Sequence, residues 1–190
     1  VWKELEADSR NAEIISALKW HRMGQWMRAF RDEGLRPVLL KGAAFSEYLY
    51  ASPGCRAYSD FDILVDRKDV AMVEALLLRE GFSAVPEMGG AHTRTECSFQ
   101  RSDGAVRSIV DVHWEILGWQ VISKTLTYTE LRDRAMQLDV DGSEIETPCV
   151  AHALIHTCLH RISHRVEERH LFGLYDIHLL LERASSVEIE

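Results

Sequence analysis

The chain has 190 residues, long enough for one domain with a real core or for an α/β core with a small helical appendage. Its formal net charge of −8 excludes broad electrostatic capture of nucleic acid, which needs a basic surface, although it leaves room for a local basic patch. No apolar run approaches the roughly 20 residues that span a bilayer, no secretory leader is visible, and the four cysteines lack Cys-x-x-Cys spacing, so the expectation is a soluble cytoplasmic protein with buried thiols and no zinc knuckle.

In chain order, Ile14, Leu18, Met23, Trp26, Met27 and Phe30 recur at helical spacing. They predict a long amphipathic helix closing at Gly34, with its Trp and Met residues in the core rather than in a ligand cage. Val38 to Leu40 read as a short buried strand, Gly42 as a tight turn and Ala43 to Tyr50 as a helix. Backbone amides at such a helix start can hold phosphate oxygens, and Lys41 adds a charge; the plainer alternative is a glycine that merely ends a strand. Ser52-Pro53-Gly54 makes a loop, and Arg56 within it either reaches phosphate or braces nearby acids as a structural ion pair.

Ser59-Asp60-Phe61-Asp62-Ile63-Leu64-Val65 has strand character. Side chains alternate along a strand, so Asp60 and Asp62 point one way while Phe61 and Ile63 enter the core. A helix follows from Asp69 to Glu80, apolar at Val70, Val73, Leu76 and Leu77 and stopped by Gly81. Phe82 to Val85 and Glu96 to Arg101 read as short strands around a loop over Pro86 to Ala91. Ser102-Asp103-Gly104 is a turn before the run Ile109-Val110-Asp111-Val112-His113-Trp114, so Glu96 to Trp114 reads as a hairpin. On the second strand Asp111, His113 and Glu115 share a face. His113 reads first as a hydrogen-bonded histidine at the core edge and second as a partner that orients a metal-bound carboxylate, and Glu115 lies just past the site.

Ile116 to Leu138 reads as helix and loop, Val140-Asp141-Gly142-Ser143 as a hairpin turn, and Thr147-Pro148 as a helix start with threonine as the cap. His152, His156, His160 and His164 then step by four. Neighbours in such a series share a helix face, but each step drifts about 40°, so four rings span too wide an arc for one ion. The glutamate of a zinc-protease motif is also absent after His152. Arg161, Arg165 and Arg169 form a parallel stripe that could face a triphosphate, a phosphorylated acceptor or RNA, against the commoner outcome of a solvated basic face. The final helix, Leu171 to Leu181, is expected to pack as core, with Asp176 free to pair with that stripe. The chain starts at Val1 without methionine and stops soon after this helix, so it reads as an excised fragment, part of the substrate site then lying outside it.

The chemical content lies in Asp60, Asp62 and Asp111. An Asp-x-Asp at a strand edge is usually solvated surface, but apolar residues crowd all three acids here, and burying unpaired carboxylates is costly unless a cation neutralises them. If Asp111 faces the same side from a neighbouring strand, the three can hold two Mg²⁺, or Mn²⁺ in its place, about 3.5–4 Å apart for in-line displacement at phosphorus.

Leu39-Leu40-Lys41-Gly42, then Arg56, then Asp60-Phe61-Asp62-Ile63-Leu64-Val65, then Val110-Asp111-Val112-His113-Trp114 resemble the uncharacterised branch of the DNA polymerase beta-type nucleotidyltransferase superfamily. The likeness runs from about Leu35 to Trp114, with a weaker echo from Pro148 to Leu181. It implies an α/β (α+β) fold: a polymerase beta-like core with a small mixed twisted sheet, an N-terminal helix and a C-terminal helical region. The corresponding division is an N-terminal helical segment over 1–34, the nucleotidyltransferase core over 35–138, and a hairpin with C-terminal helices over 139–190. Asp60, Asp62 and Asp111 would be catalytic and metal-binding, and Lys41, Gly42, Arg56 and Ser59 nucleotide-binding. The implied reaction moves a nucleoside monophosphate from a nucleoside triphosphate to a hydroxyl-type acceptor, a small molecule, protein or RNA, and releases pyrophosphate. Lys41-Gly42 stands where better-known members carry Gly-Ser, so Lys41 takes the place of the serine hydroxyl. The rivals are an inactive nucleotide-binding or scaffold protein of the same fold, and a metalloprotein built on the histidine helix.

Overall fold

The computed structural model describes residues 2–86, 95–104, 106–116, 126–163 and 171–187, with side chains described between residues 10 and 184 of those stretches. The first element, α1 (Trp2–Asp32), ends where Gly34 adopts a φ of 77°. Its buried stripe runs through Ser16, Trp20, Met23, Trp26, Met27 and Phe30. Ile14 and Leu18, assigned to that stripe by spacing, are exposed instead. Two positions along a helix are about 200° apart, so a face that buries Ser16 and Trp20 turns Ile14 and Leu18 outward.

After α1 come β1 (Val38–Leu40), α2 (Lys41–Tyr48), β2 (Phe61–Leu64), α3 (Val70–Arg79), β3 (Ser83–Ala84), β4 (Glu96–Asp103) and β5 (Val106–His113). The remainder is α4 (Tyr128–Asp133), β6 (Met136–Val140), β7 (Ser143–Thr147), α5 (Val150–Ser163) and α6 (Leu171–Val187). The seven strands form one sheet in the order β3-β4-β5-β2-β1-β7-β6. The β2/β5 and β1/β7 pairs are parallel and the other neighbours antiparallel, so the fold is α+β with a mixed sheet.

Alternation divides the sheet. Leu39, Phe61, Ile63, Phe99, Val110 and Val112 belong to the main core, with the α1 stripe and with Val73, Leu76 and Leu77 of α3. The intervening residues Val38, Leu40 and Leu64 turn to the opposite face, where they cluster with Leu126 and Leu131. That second face also carries Asp62 and Asp111. Phe45 of α2 packs there on Ala153 of α5 and Leu180 of α6, so the C-terminal helices attach to the helix that follows β1.

Several local readings change in three dimensions. Met136 to Leu138 belong to β6 rather than to helix or loop. Thr147 does not cap a helix: it is the last residue of β7, its hydroxyl donates to the Leu39 carbonyl at 2.9 Å, and α5 begins at Val150. The apolar side chains of α6 are largely outside the core, with Leu171, Phe172, Leu174, Tyr175 and Leu181 exposed and Leu180 and Asp176 buried. Cys55 is exposed and the other three cysteines half-buried. The Asp141-Gly142 turn follows its residue chemistry, with φ of 52° and 70°. No described helix is long and apolar enough to cross a membrane. Most of the Pro86 to Ala91 loop, residues 117–125, and His164, Arg165 and Arg169 lie outside the described residues.

Candidate active site

β1 runs into α2 without an intervening loop, and the chain turns at Lys41, whose φ is 53°, rather than at Gly42. A non-glycine residue adopts this backbone rarely, and the side chain is held in return: Lys41 Nζ donates to Asp62 Oδ1 at 2.9 Å. Gly42 is needed for another reason. A Cβ there would stand 3.1 Å from Arg56 Nη2 and 3.3 Å from Cζ, so glycine lets the guanidinium lie against the start of α2 without a crowded contact. No side chain caps that start.

The acids are positioned by register. Asp62 pairs with Asp111 across the parallel β2/β5 ladder, so the two side chains leave the sheet on the same face, and Asp60 immediately precedes β2. Asp62 is only 8 % exposed. Burial would raise its carboxyl pKa, but the charge of Lys41 and the hydrogen bond from His113 overcome this and hold it below the ordinary carboxylate range. Asp60 and Asp111 go the other way. Burial, followed by the charge of Asp62, raises Asp60, with Lys41 and the Ser59 side chain opposing. Burial raises Asp111 against the opposing Ser98 side chain, and the charges of Asp62 and Asp60 add to the rise. Among the described residues, Asp111 Oδ1 is buried with no hydrogen-bond partner.

His113 bridges two carboxylates, Nε2 to Asp62 Oδ1 and Nδ1 to Glu96 Oε2, each at 2.9 Å. Although burial disfavours its charge, these two bonds raise the ring pKa to about 9, so it is an imidazolium that donates both protons. These contacts suit both sequence readings of His113: it is a buried, hydrogen-bonded histidine, and the carboxylate it holds is Asp62. Glu96 was not singled out from sequence. Its signal lay in the hairpin, because a turn between Asp103 and Val106 sets Glu96 opposite His113.

The structure gathers Lys41, Asp60, Asp62 and Asp111 in one charge-coupled corner, and Gly42 and Arg56 in a stack beside it. Ser59 is exposed next to Asp60. Of the alternatives for Arg56, the ion pair is what forms, and its partner is Asp176 at 2.9 Å rather than any of the three acids. Whether Asp176 also meets the arginine stripe falls on Arg165 and Arg169, which lie outside the described residues. His152 and His156 face inward, and His156, 1 % exposed, has an unpartnered Nε2. Burial and then the charge of Lys41 push its pKa well below the usual histidine value, so it is neutral. Among the described residues no three His, Cys, Asp or Glu side chains are arranged as a metal cage. Asp62 is engaged by Lys41 and His113 instead.

The fold of the chain is similar to that of several solved structures. One is an antigenic nucleotidyltransferase-like protein from Paracoccidioides brasiliensis, with TM-score 0.57 and 15% identity over 90% of this chain and 75% of that one. A second is ANT(2")-Ia in complex with adenylyl-2"-tobramycin, with TM-score 0.57 and 12% identity over 90% and 94% of the two chains. A third is the lincosamide antibiotic adenylyltransferase LnuA bound to lincomycin, with TM-score 0.53 and 14% identity over 81% and 90%. At such identities the likeness establishes the fold. A comparison with curated proteins returns no match. The sequence profile of one family, however, spans residues 2–188, and the chain belongs to that family, the uncharacterised nucleotidyltransferases.

Proposed function

We propose that the protein is a divalent-metal-dependent enzyme that transfers a nucleoside monophosphate from a nucleoside triphosphate to a hydroxyl of an acceptor and releases pyrophosphate. The observation that carries the reading is the pairing of Asp62 with Asp111 on adjacent parallel strands, with Asp60 at the mouth of β2. The residues fit a hard cation. Asp111 Oδ1 is buried and, among the described residues, unpartnered, and burial together with the neighbouring carboxylate charges raises the pKa of Asp60 and Asp111, so a cation there would relieve both. Asp60, Asp62 and Asp111 would hold Mg²⁺ or Mn²⁺, which when bound supplies charge neutralisation at phosphoryl oxygens and lowers the pKa of the acceptor hydroxyl.

The chain's own groups supply the rest. The uncapped amides at the start of α2 and the Lys41 ammonium bind the departing phosphates. His113, held by Glu96, fixes the orientation of Asp62. The Asp111 carboxylate helps to activate the attacking hydroxyl or accepts its proton. The aminoglycoside and lincosamide ligands of the structural neighbours make a small hydroxylated molecule the first acceptor class to try.

A second reading has a specific observation behind it. Lys41 and His113 already satisfy Asp62 without a metal, as expected of a nucleotide-binding or scaffold protein that has given up the chemistry. Incubation with each labelled nucleoside triphosphate, Mg²⁺ and a cell extract, followed by separation of small molecules, RNA and protein, decides between the two. Transfer that Asp62→Asn abolishes supports the enzyme; Mg²⁺-dependent binding without transfer supports the second reading, and equal transfer by Asp62→Asn removes the two-metal mechanism.

A further inference from the structure

We propose that Arg56 is a positioning residue that sets the first turn of α2 from outside the helix, with Asp176 of α6 as its anchor. Only the expected effect on nucleotide rests on the function proposed above. The guanidinium is held on every side. Nε donates to Asp176 Oδ1 at 3.0 Å, Nη2 donates to Oδ2 at 2.9 Å, and Nη1 donates to the Ala57 carbonyl. Tyr50 Oη donates to the same Asp176 Oδ1 at 2.6 Å, and the Phe172 ring lies 4.9 Å from Arg56 Cζ. The Arg56 side chain is 14 % exposed and that of Asp176 3 %.

Gly42 closes the stack, since a Cβ on it would press into the guanidinium. A two-point fork fixes the plane of the guanidinium as well as its position, which a lysine ammonium cannot do. The plane rests on backbone at the residue after Lys41, so the location of α6 is passed to the amides that open α2. The same arginine stands just upstream of Ala57, Ser59 and Asp60, and so ties the phosphate-side turn, the approach to the first acid and the C-terminal helix to one group.

A buried ion pair also contributes to folding, and the test must separate that role. Arg56→Met or Asp176→Leu alone leaves a buried unpaired charge and lowers the urea midpoint, whereas the double variant removes both charges and regains it. A positioning role is read elsewhere, in hydrogen exchange at the Phe45 and Ser46 amides, which in a helix bond to the Lys41 and Gly42 carbonyls. In the double variant these amides exchange faster than in wild type despite the recovered midpoint, and kcat/KM for the nucleotide falls ~10–100-fold, as for a displaced reacting group. Arg56→Lys keeps the charge and lacks the fork, so it restores the midpoint without restoring exchange protection.

Wild-type exchange in the double variant overturns the proposal and leaves the pair structural. If the double variant does not regain its midpoint, Arg56→Lys decides: faster exchange at a retained midpoint supports the proposal and unchanged exchange overturns it. If wild-type protein transfers and binds no nucleotide, the proposed function fails and the exchange measurement alone decides the role of Arg56.

Discussion

Asp111 faces its site with one buried carboxylate oxygen unpartnered, while Asp62 on the next strand is bonded twice. Under the proposed function, Asp111 acts in the transition state more than in ground-state binding. Asp111→Asn is expected to leave triphosphate affinity nearly unchanged while transfer falls by orders of magnitude, a split read from calorimetry beside initial rates. Equal losses in both would make Asp111 a binding residue. Lys41 predicts a split of the opposite kind. Lys41→Ala removes a cation from Asp62, so bare Mg²⁺ should bind roughly tenfold more tightly, the worth of one charged hydrogen bond, and the triphosphate more weakly. Loss of both affinities together with the fold would make Lys41 structural.

Away from the acids, burial and then the charge of Asp141 raise the Glu47 carboxyl pKa to about 7, and its Oε1 has no hydrogen-bond partner. A carboxyl whose folded pKa lies above the unfolded value contributes stability that is fully present below the unfolded pKa, near 4.5, and lost as pH rises through 7. Glu47→Gln should match wild type in urea midpoint at pH 4 and exceed it at pH 8, the gap opening between those limits. A constant gap would show that its titration is not what matters. The alternation that turns Asp62 away from Phe61 and Ile63 could be read from a few adjacent residues. The Arg56–Asp176 pair could not, because its members are 120 positions apart and neither carries a local mark of the other.

Elements became legible where local preference and burial agreed. The tightest case is α1 on the sheet: Trp26 meets Phe61 edge-on at 6.1 Å and Phe82 at 4.7 Å. Trp26→Ala is expected to cost about 3–5 kcal/mol, whereas Leu18→Ser, on the exposed side of the same helix, should stay within about 0.5 kcal/mol of wild type, both by urea titration. Comparable losses at the two positions would contradict the assigned face. Where local preference met a competing tertiary bond, it lost. Thr147 and Pro148 carry every cue of a helix start, yet Thr147 pairs with Met136 in the β6/β7 ladder and gives its hydroxyl to Leu39. In α6 composition pointed to core, but a helix buries only what a neighbour covers, and Phe45 and Ala153 meet it at Leu180.

At the scale of the molecule, the sheet order explains why two short acidic runs, 49 positions apart, act as one corner: β2 and β5 are parallel neighbours in register, and β1 brings Lys41 in from the other side. What the sequence by itself determined was the strands and helices around these acids, the face of β2 on which Asp62 lies opposite Phe61 and Ile63, and the family resemblance. Those properties follow from alternation, periodicity and turn chemistry, which act between residues close in the chain. Only the tertiary structure decided that Lys41 and His113 converge on Asp62, that Glu96 backs His113, and that Arg56 belongs to Asp176. Each of these contacts depends on which strands pair, a choice made by burying the common core, and on where α6 docks, which is set by the smaller cluster of Phe45, Ala153 and Leu180.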